Sequence, residues 1–165
     1  MHCWPTMDAV ELLTKQHRQM EAELKHALEA KGQEQRLLFQ RAADLLMSHV
    51  LIEEREFYPA VKAKRTEDIL LESLEEHLGL KRLIADLVEM SVSDEKYEPK
   101  LHVLKEQAEH HHKEEEEKLF PKVKKLLSEE ELEVLGTRMQ EVQAQLLVEH
   151  PRQLAETQTE AAVEL

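Results

Sequence analysis

The sequence predicts an all-α protein: an up-down-up-down four-helix bundle, then an additional C-terminal helix and a mobile tail. Three observations carry that expectation. Only three of 165 residues are Gly and five are Pro, while 35% are charged, and heavy use of Glu, Leu, Ala and Lys favours helix over sheet. Apolar residues recur at steps of three and four in four successive segments. Finally, one pair of segments is written twice, each copy closed by a proline, at Pro59 and Pro121. A chain of this length is most economically one domain. The expected division is a bundle over 1–127, an additional helix over 128–150 packed on or extending it, and a flexible tail over 151–165.

The first helix starts at Asp8, a suitable N-cap, and runs to about Ala30, where Lys31-Gly32 ends it. Its apolar stripe is Val10, Leu13, His17, Met20, Leu24 and Leu28, which puts His17 mid-stripe and leaves His26 off it. A lone histidine on an apolar face is ordinarily a satisfied core residue, so His17 alone proves little. The second helix, over 34–57, carries Leu38, Ala42, Leu45, His49 and Glu53 on its stripe. Here a histidine and a carboxylate both take core positions. Pro59 disfavours helix at Tyr58, so an end or a kink is expected there.

Thr66 opens the third helix, with Glu67 and Asp68 suited to the positive end of its dipole. Its stripe is Leu70, Ser73, His77, Leu80, Ile84 and Leu87. The break at 91–94 lets Ser93 or Asp94 cap a fourth helix, whose stripe is Tyr97, Leu101, Leu104, Ala108, His111, Glu115 and Leu119. Pro99 is tolerated because it lies near the start. Three histidines stand in a row at 110–112, and only His111 continues the stripe. His110 and His112 are turned about 100° to either side. The prolines select the same residue: His49 and His111 each precede theirs by ten positions, Glu53 and Glu115 by six. Ser128 with Glu131 forms a capping-box sequence for the additional helix, which His150-Pro151 stops.

Composition excludes several classes. A net charge of -13 argues against nucleic acid or an anionic membrane as the main partner. No apolar run approaches the roughly 18 residues of a membrane span, and the first residues lack the order of a secretory signal. The single cysteine, Cys3, rules out an intramolecular disulfide framework and fits a reducing, cytoplasmic compartment. Cys3 and Trp4 read as terminal residues without a role in a site.

A His and a Glu four apart share one helix face, about 6 Å from each other. The chain has two such pairs, His49 with Glu53 and His111 with Glu115, and each is preceded by a helix with a central histidine. His17 to His49 is 32 residues and His77 to His111 is 34. In a bundle built from two such hairpins these residues reach one core layer. Burying two carboxylates without partners is costly. A purely structural layer of imidazole–carboxylate hydrogen bonds is one solution. The other is a pair of divalent cations bridged by the carboxylates, held by His17, His49, Glu53, His77, His111 and Glu115. Mixed imidazole and carboxylate donors suit iron, manganese or zinc.

These residues resemble the hemerythrin-like, or HHE cation-binding, domains: His17, His49-x3-Glu53, His77 and His111-x3-Glu115, with Phe57-Tyr58-Pro59 and Leu119-Phe120-Pro121 following. The resemblance covers about residues 8–125. It implies a non-haem di-iron centre bridged by the two glutamates, with His17 and His49 on one iron and His77 and His111 on the other. Oxygen-carrying members use a fifth histidine one turn before the third-helix histidine, and that position here is Ser73. Their last bridging carboxylate is an Asp five residues after its histidine, where this chain has a Glu at four. Both departures resemble bacterial family members of stress response and iron handling. Glu21, one turn after His17, is either an additional ligand or a solvated, salt-bridged residue.

Three functions follow. The first is a di-iron protein reacting with O2, NO or peroxide. The second is a peroxide-consuming enzyme or an iron donor for damaged centres. The third is a metal-stapled helical signalling module. A monomer is the default oligomeric state.

Overall fold

The structure, a computed structural model, describes residues 5–165, so the expectations for Cys3 and Trp4 lie outside it. It contains five long helices: α1 (Ala9–Glu29), α2 (Gly32–Ile52), α3 (Glu67–Glu89), α4 (Tyr97–Glu114) and α5 (Glu129–Val148). The first four close a square in which α1 packs on α2 and α4, and α3 on α4 and α2. Short connections make the neighbours antiparallel, as an up-down-up-down bundle requires. The core is the union of four apolar stripes, including Leu13, Met20 and Leu24 of α1, Leu46 of α2, Leu80 and Ile84 of α3, and Leu101 and Leu104 of α4.

The helix starts are chemically specified. Asp8 and Ser128 each accept from the backbone N–H three residues on, at 2.9 and 3.1 Å, and Glu11 and Glu131 return the bond. Between α1 and α2 only Ala30 and Lys31 intervene, and Gly32 takes φ +62°, a left-handed conformation that reverses the chain. The fourth helix is capped less directly than expected: Asp94 accepts from the Lys96 N–H at 2.9 Å, one turn-residue ahead of the helix.

Neither α2 nor α4 stops where its proline would end it. Each passes through a single π turn, Glu53–Phe57 and Glu115–Leu119, and resumes over Tyr58–Val61 and Phe120–Leu126. In both turns the N–H preceding the proline reaches back five residues, Tyr58 to the Glu53 carbonyl and Phe120 to that of Glu115. Proline offers no N–H and its ring crowds the carbonyl four residues earlier. One wider turn removes that conflict without ending the helix. Such bulges concentrate at functional sites, and these two begin at Glu53 and Glu115.

The additional helix α5 lies across α1 and α2. It comes so close to the start of α1 that a Cβ on Gly136 would stand 2.2 Å from the Met7 carbonyl oxygen and 2.9 Å from the Ala9 nitrogen. Backbone cannot yield as a side chain would. Gly136→Ala is therefore expected to destabilise by about 1–3 kcal/mol, despite alanine's better helix propensity. Thermal unfolding checks this, and an unchanged melting temperature would mean that α5 is free to shift.

The C-terminal segment, expected as a flexible tail, has local structure of its own. Residues Pro151–Gln158 form a 3₁₀ helix packed on α2 and α3, with Pro151 and Ala155 buried. His150 turns the chain into it with φ +52°. Asp44 accepts from the Arg152 backbone N–H at 3.1 Å and from its guanidinium at 2.5 Å. Arg82 then donates to the carbonyls of Thr159 and Glu160 at 2.9 and 3.2 Å. The segment is anchored by small contacts and polar bonds to the bundle, which its own sparse apolar content does not reveal.

Candidate metal centre

All six residues expected in the centre meet in one layer, each no more than 1% exposed. Glu53 Oε1 lies 2.9 Å from His49 Nε2, 3.5 Å from His77 Nε2 and 3.9 Å from His111 Nε2. Glu115 Oε1 lies 3.3 Å from both His17 Nε2 and His111 Nε2. Each carboxylate thus touches imidazoles from both halves of the repeat.

The four imidazoles are oriented from behind. His17 Nδ1 stands 3.0 Å from Glu116, which Arg18 in turn holds. His49 Nδ1 is 2.7 Å from the Gln16 carbonyl oxygen. His77 Nδ1 is 3.0 Å from Glu54, whose two oxygens accept from the buried Lys81 ammonium at 2.8 Å each. His111 Nδ1 has Glu76 at 3.4 Å. With an acceptor behind each ring, Nδ1 carries a proton and Nε2 faces inward. Carboxylate or amide groups on the far nitrogen are the usual support of metal-binding histidines.

His77 Nε2 and His111 Nε2 face each other at 3.0 Å, but the other inward atoms do not satisfy one another. His17 Nε2, His49 Nε2, both Glu53 oxygens and Glu115 Oε1 are fully buried without a hydrogen-bond partner. Their separations are short, but the geometry is not that of hydrogen bonds. Among the described residues no Lys or Arg pairs with Glu53 or Glu115, whereas Glu54 has Lys81 and Glu116 has Arg18. Two buried carboxylates without a fixed cation are expensive, and convergent donors with open lone pairs are what a bound cation completes. Three overlapping groups have donor atoms all within 4.8 Å of one another: His17, His49 and His112; Glu53, His77 and His111; and His49, Glu53 and Glu115. The residues present therefore fit metal cations.

Electrostatics follow the same division. Burial pulls the His111 imidazolium down, but the carboxylates of Glu115 and Glu53 outweigh it and raise its pKa well above the ordinary value. Burial pushes the Glu53 carboxyl up, yet the surrounding imidazoles, His49 first, hold it well below the usual carboxylate range. His49 is lowered, chiefly by burial. Tyr58 is pushed well above its usual value by burial and by the neighbouring Glu115 and Glu53. Its phenol therefore keeps its proton, donates to Glu115 Oε2 at 3.0 Å and lies 3.2 Å from His77 Nε2.

His112 requires a correction. Expected to turn away from the core, it is 0% exposed and in contact with the centre, its ring stacked 4.0 Å from His17 at 9° and 5.6 Å from His49. Because α4 sits between α1 and α3, it buries both flanks, and His112 falls on the flank toward α1. Its pKa lies well below the ordinary value, through burial first and the adjacent His17 and His49 rings next. His110 does face outward, 67% exposed. Ser73 is buried one turn before His77, as its stripe position requires. Glu21 is salt-bridged to Arg18 at 2.6 Å, with its other oxygen 3.5 Å from His112 Nδ1.

The supporting residues Gln16, Glu54, Tyr58, Glu76, Lys81 and Glu116 were not read from the sequence. Four carried a signal: Gln16, Glu54 and Glu116 each adjoin a residue of the centre, and Lys81 stands four after His77 among apolar neighbours.

Known proteins bear on the same residues. A family model described as the hemerythrin HHE cation binding domain matches residues 8–123. The crystal structure of a hemerythrin HHE cation binding domain-containing protein from Mycobacterium kansasii superposes with a TM-score of 0.77 at 25% identity, over 93% of this chain and 94% of that one. No curated protein matches the sequence.

Proposed function

The chain belongs to the hemerythrin HHE cation-binding family, and from that premise we propose that it holds two non-haem irons that react with a small ligand such as O2, NO or peroxide. The observation that carries the reading is the set of buried, unsatisfied nitrogen and oxygen atoms converging between the two halves of the repeat. His17 and His49 would hold one cation and His77 and His111 the other, with Glu53 and Glu115 shared. Manganese and zinc suit the same donors, and iron is preferred because the proposed reaction needs a redox-active ion. Bound there, an iron pair supplies electrons or an open position to a small ligand.

The protein's own part is orientation, exclusion and a proton. The acceptors behind the imidazoles fix which nitrogen faces inward. Phe57, 0% exposed, and Phe120, 3% exposed, close the layer beside the two π turns, with the Phe120 ring stacked 5.8 Å from His17. Water is kept out by these rings. The protonated Tyr58 hydroxyl offers a hydrogen bond on the side where Ser73 stands in place of a histidine. We place this chemistry in the cytoplasm, in line with a single cysteine. No helix among the described residues is long and apolar enough to cross a membrane.

The test is metal analysis of the purified chain, followed by near-ultraviolet absorption on reduction and re-exposure to air. Two irons per chain and a reversible oxo-bridge band are expected. Steady consumption of added peroxide would place the protein among enzymes instead, and a chain that binds no transition metal would remove the proposal altogether.

A further inference from the structure

His112 is the one buried imidazole that the six-residue centre leaves without a task. Its two nitrogens are both fully buried and both lack a hydrogen-bond partner. The nearest carboxylate, Glu21, stands at 3.5 Å and is engaged by Arg18. A stacking role against His17 explains the ring's position but not its chemistry, because a phenyl ring would pack there without two stranded nitrogens. The donor atoms of His17, His49 and His112 lie within 4.8 Å of one another, an all-imidazole group. The opposite group has two imidazoles, His77 and His111, with Glu53, and the position that could add a third is Ser73.

From this asymmetry we infer that His112 is a fifth histidine ligand of the centre, binding the cation held by His17 and His49. The inference rests on the two-cation reading above. One cation then has three imidazoles and the other two, so the pair is inequivalent within an otherwise duplicated site. The adjacency of His112 to His111 lets a single turn of α4 supply both cations, His111 on one side and His112 on the other.

The experiment is release of iron from the Fe(II)-loaded full chain into excess chelator, for the wild type, His112→Ala, His112→Phe and His110→Ala. The phenyl variant keeps a ring stacked on His17 and cannot ligate. In both His112 variants, one iron of the two is expected to leave at least about 10-fold faster, with the other unchanged, since even outer-shell partners of metal ligands matter by that factor. His110→Ala should release as the wild type does. Release from His112→Phe indistinguishable from the wild type would overturn the inference, whatever His112→Ala does. So would equal acceleration of both irons, which would indicate a general loosening. A wild-type chain that binds no iron would instead sink the two-cation reading itself.

Discussion

Glu53→Gln is expected to strip the chain of its cations while leaving the metal-free fold at least as stable as before. The two effects separate because one carboxylate serves both. Glu53 is 0% exposed, both of its oxygens lack hydrogen-bond partners, and Oε1 lies within 3.9 Å of His49, His77 and His111. Without metal it is a buried charge with no Lys or Arg beside it, and removing such a charge by an amide of the same shape is neutral or stabilising. With metal it is the group placed to join the two halves of the centre, and a neutral amide cannot replace that charge. Affinity should fall at least about 100-fold, the upper end of what outer-shell changes alone produce. Metal content and melting temperature, each with and without added iron, check this together. Two tightly held cations in the variant would remove Glu53 from the centre. A variant that loses metal and also melts many degrees lower without it would make the residue structural.

The parts of this site legible in the sequence are those that obey a single period. Steps of three and four place His17, His49, His77 and His111 on the core stripe, and matched prolines select Glu53 and Glu115. The five helices, the Asp8 N-cap and the Ser128 capping box follow from equally local signals. What escapes is whatever depends on a helix having two buried flanks. His112, one residue past His111, leaves the stripe by 100° and yet meets α1, because α4 is enclosed by neighbours on either side. Glu54 and Gln16 escape for the same reason, each one residue from the stripe. The proline-induced kink is legible as a break, but the break takes the form of a π turn, in which the chain bends and the helix goes on. The tail is invisible for another reason: Asp44 and Arg82, far away in sequence, supply its anchors.

Lys81 is the residue on which the largest loss of stability is expected. Its side chain is 2% exposed, and its ammonium lies 2.8 Å from both oxygens of Glu54, which is itself 3.0 Å from His77 Nδ1. Burial pushes the Glu54 carboxyl up, while His77 and Lys81 outweigh it and hold it below its usual value. Lys81→Met fills the volume and leaves that carboxylate buried with only the His77 imidazole beside it. Breaking one side of a buried pair costs about 3–5 kcal/mol, a fall in melting temperature of about 10 °C for a chain of this size. The double variant Glu54→Gln with Lys81→Met removes both charges and should recover most of that loss, since the amide oxygen still accepts from His77. The recovered protein is not expected to recover its metal. An amide behind His77 is a weaker acceptor than a carboxylate, so iron affinity should stay about 10-fold below that of the wild type. Thermal unfolding and iron titration of the two variants therefore separate the pair's contribution to folding from its contribution to the imidazole it supports. If the double variant is as unstable as Lys81→Met alone, the cost lies in the packing of the lysine stem and not in the stranded charge.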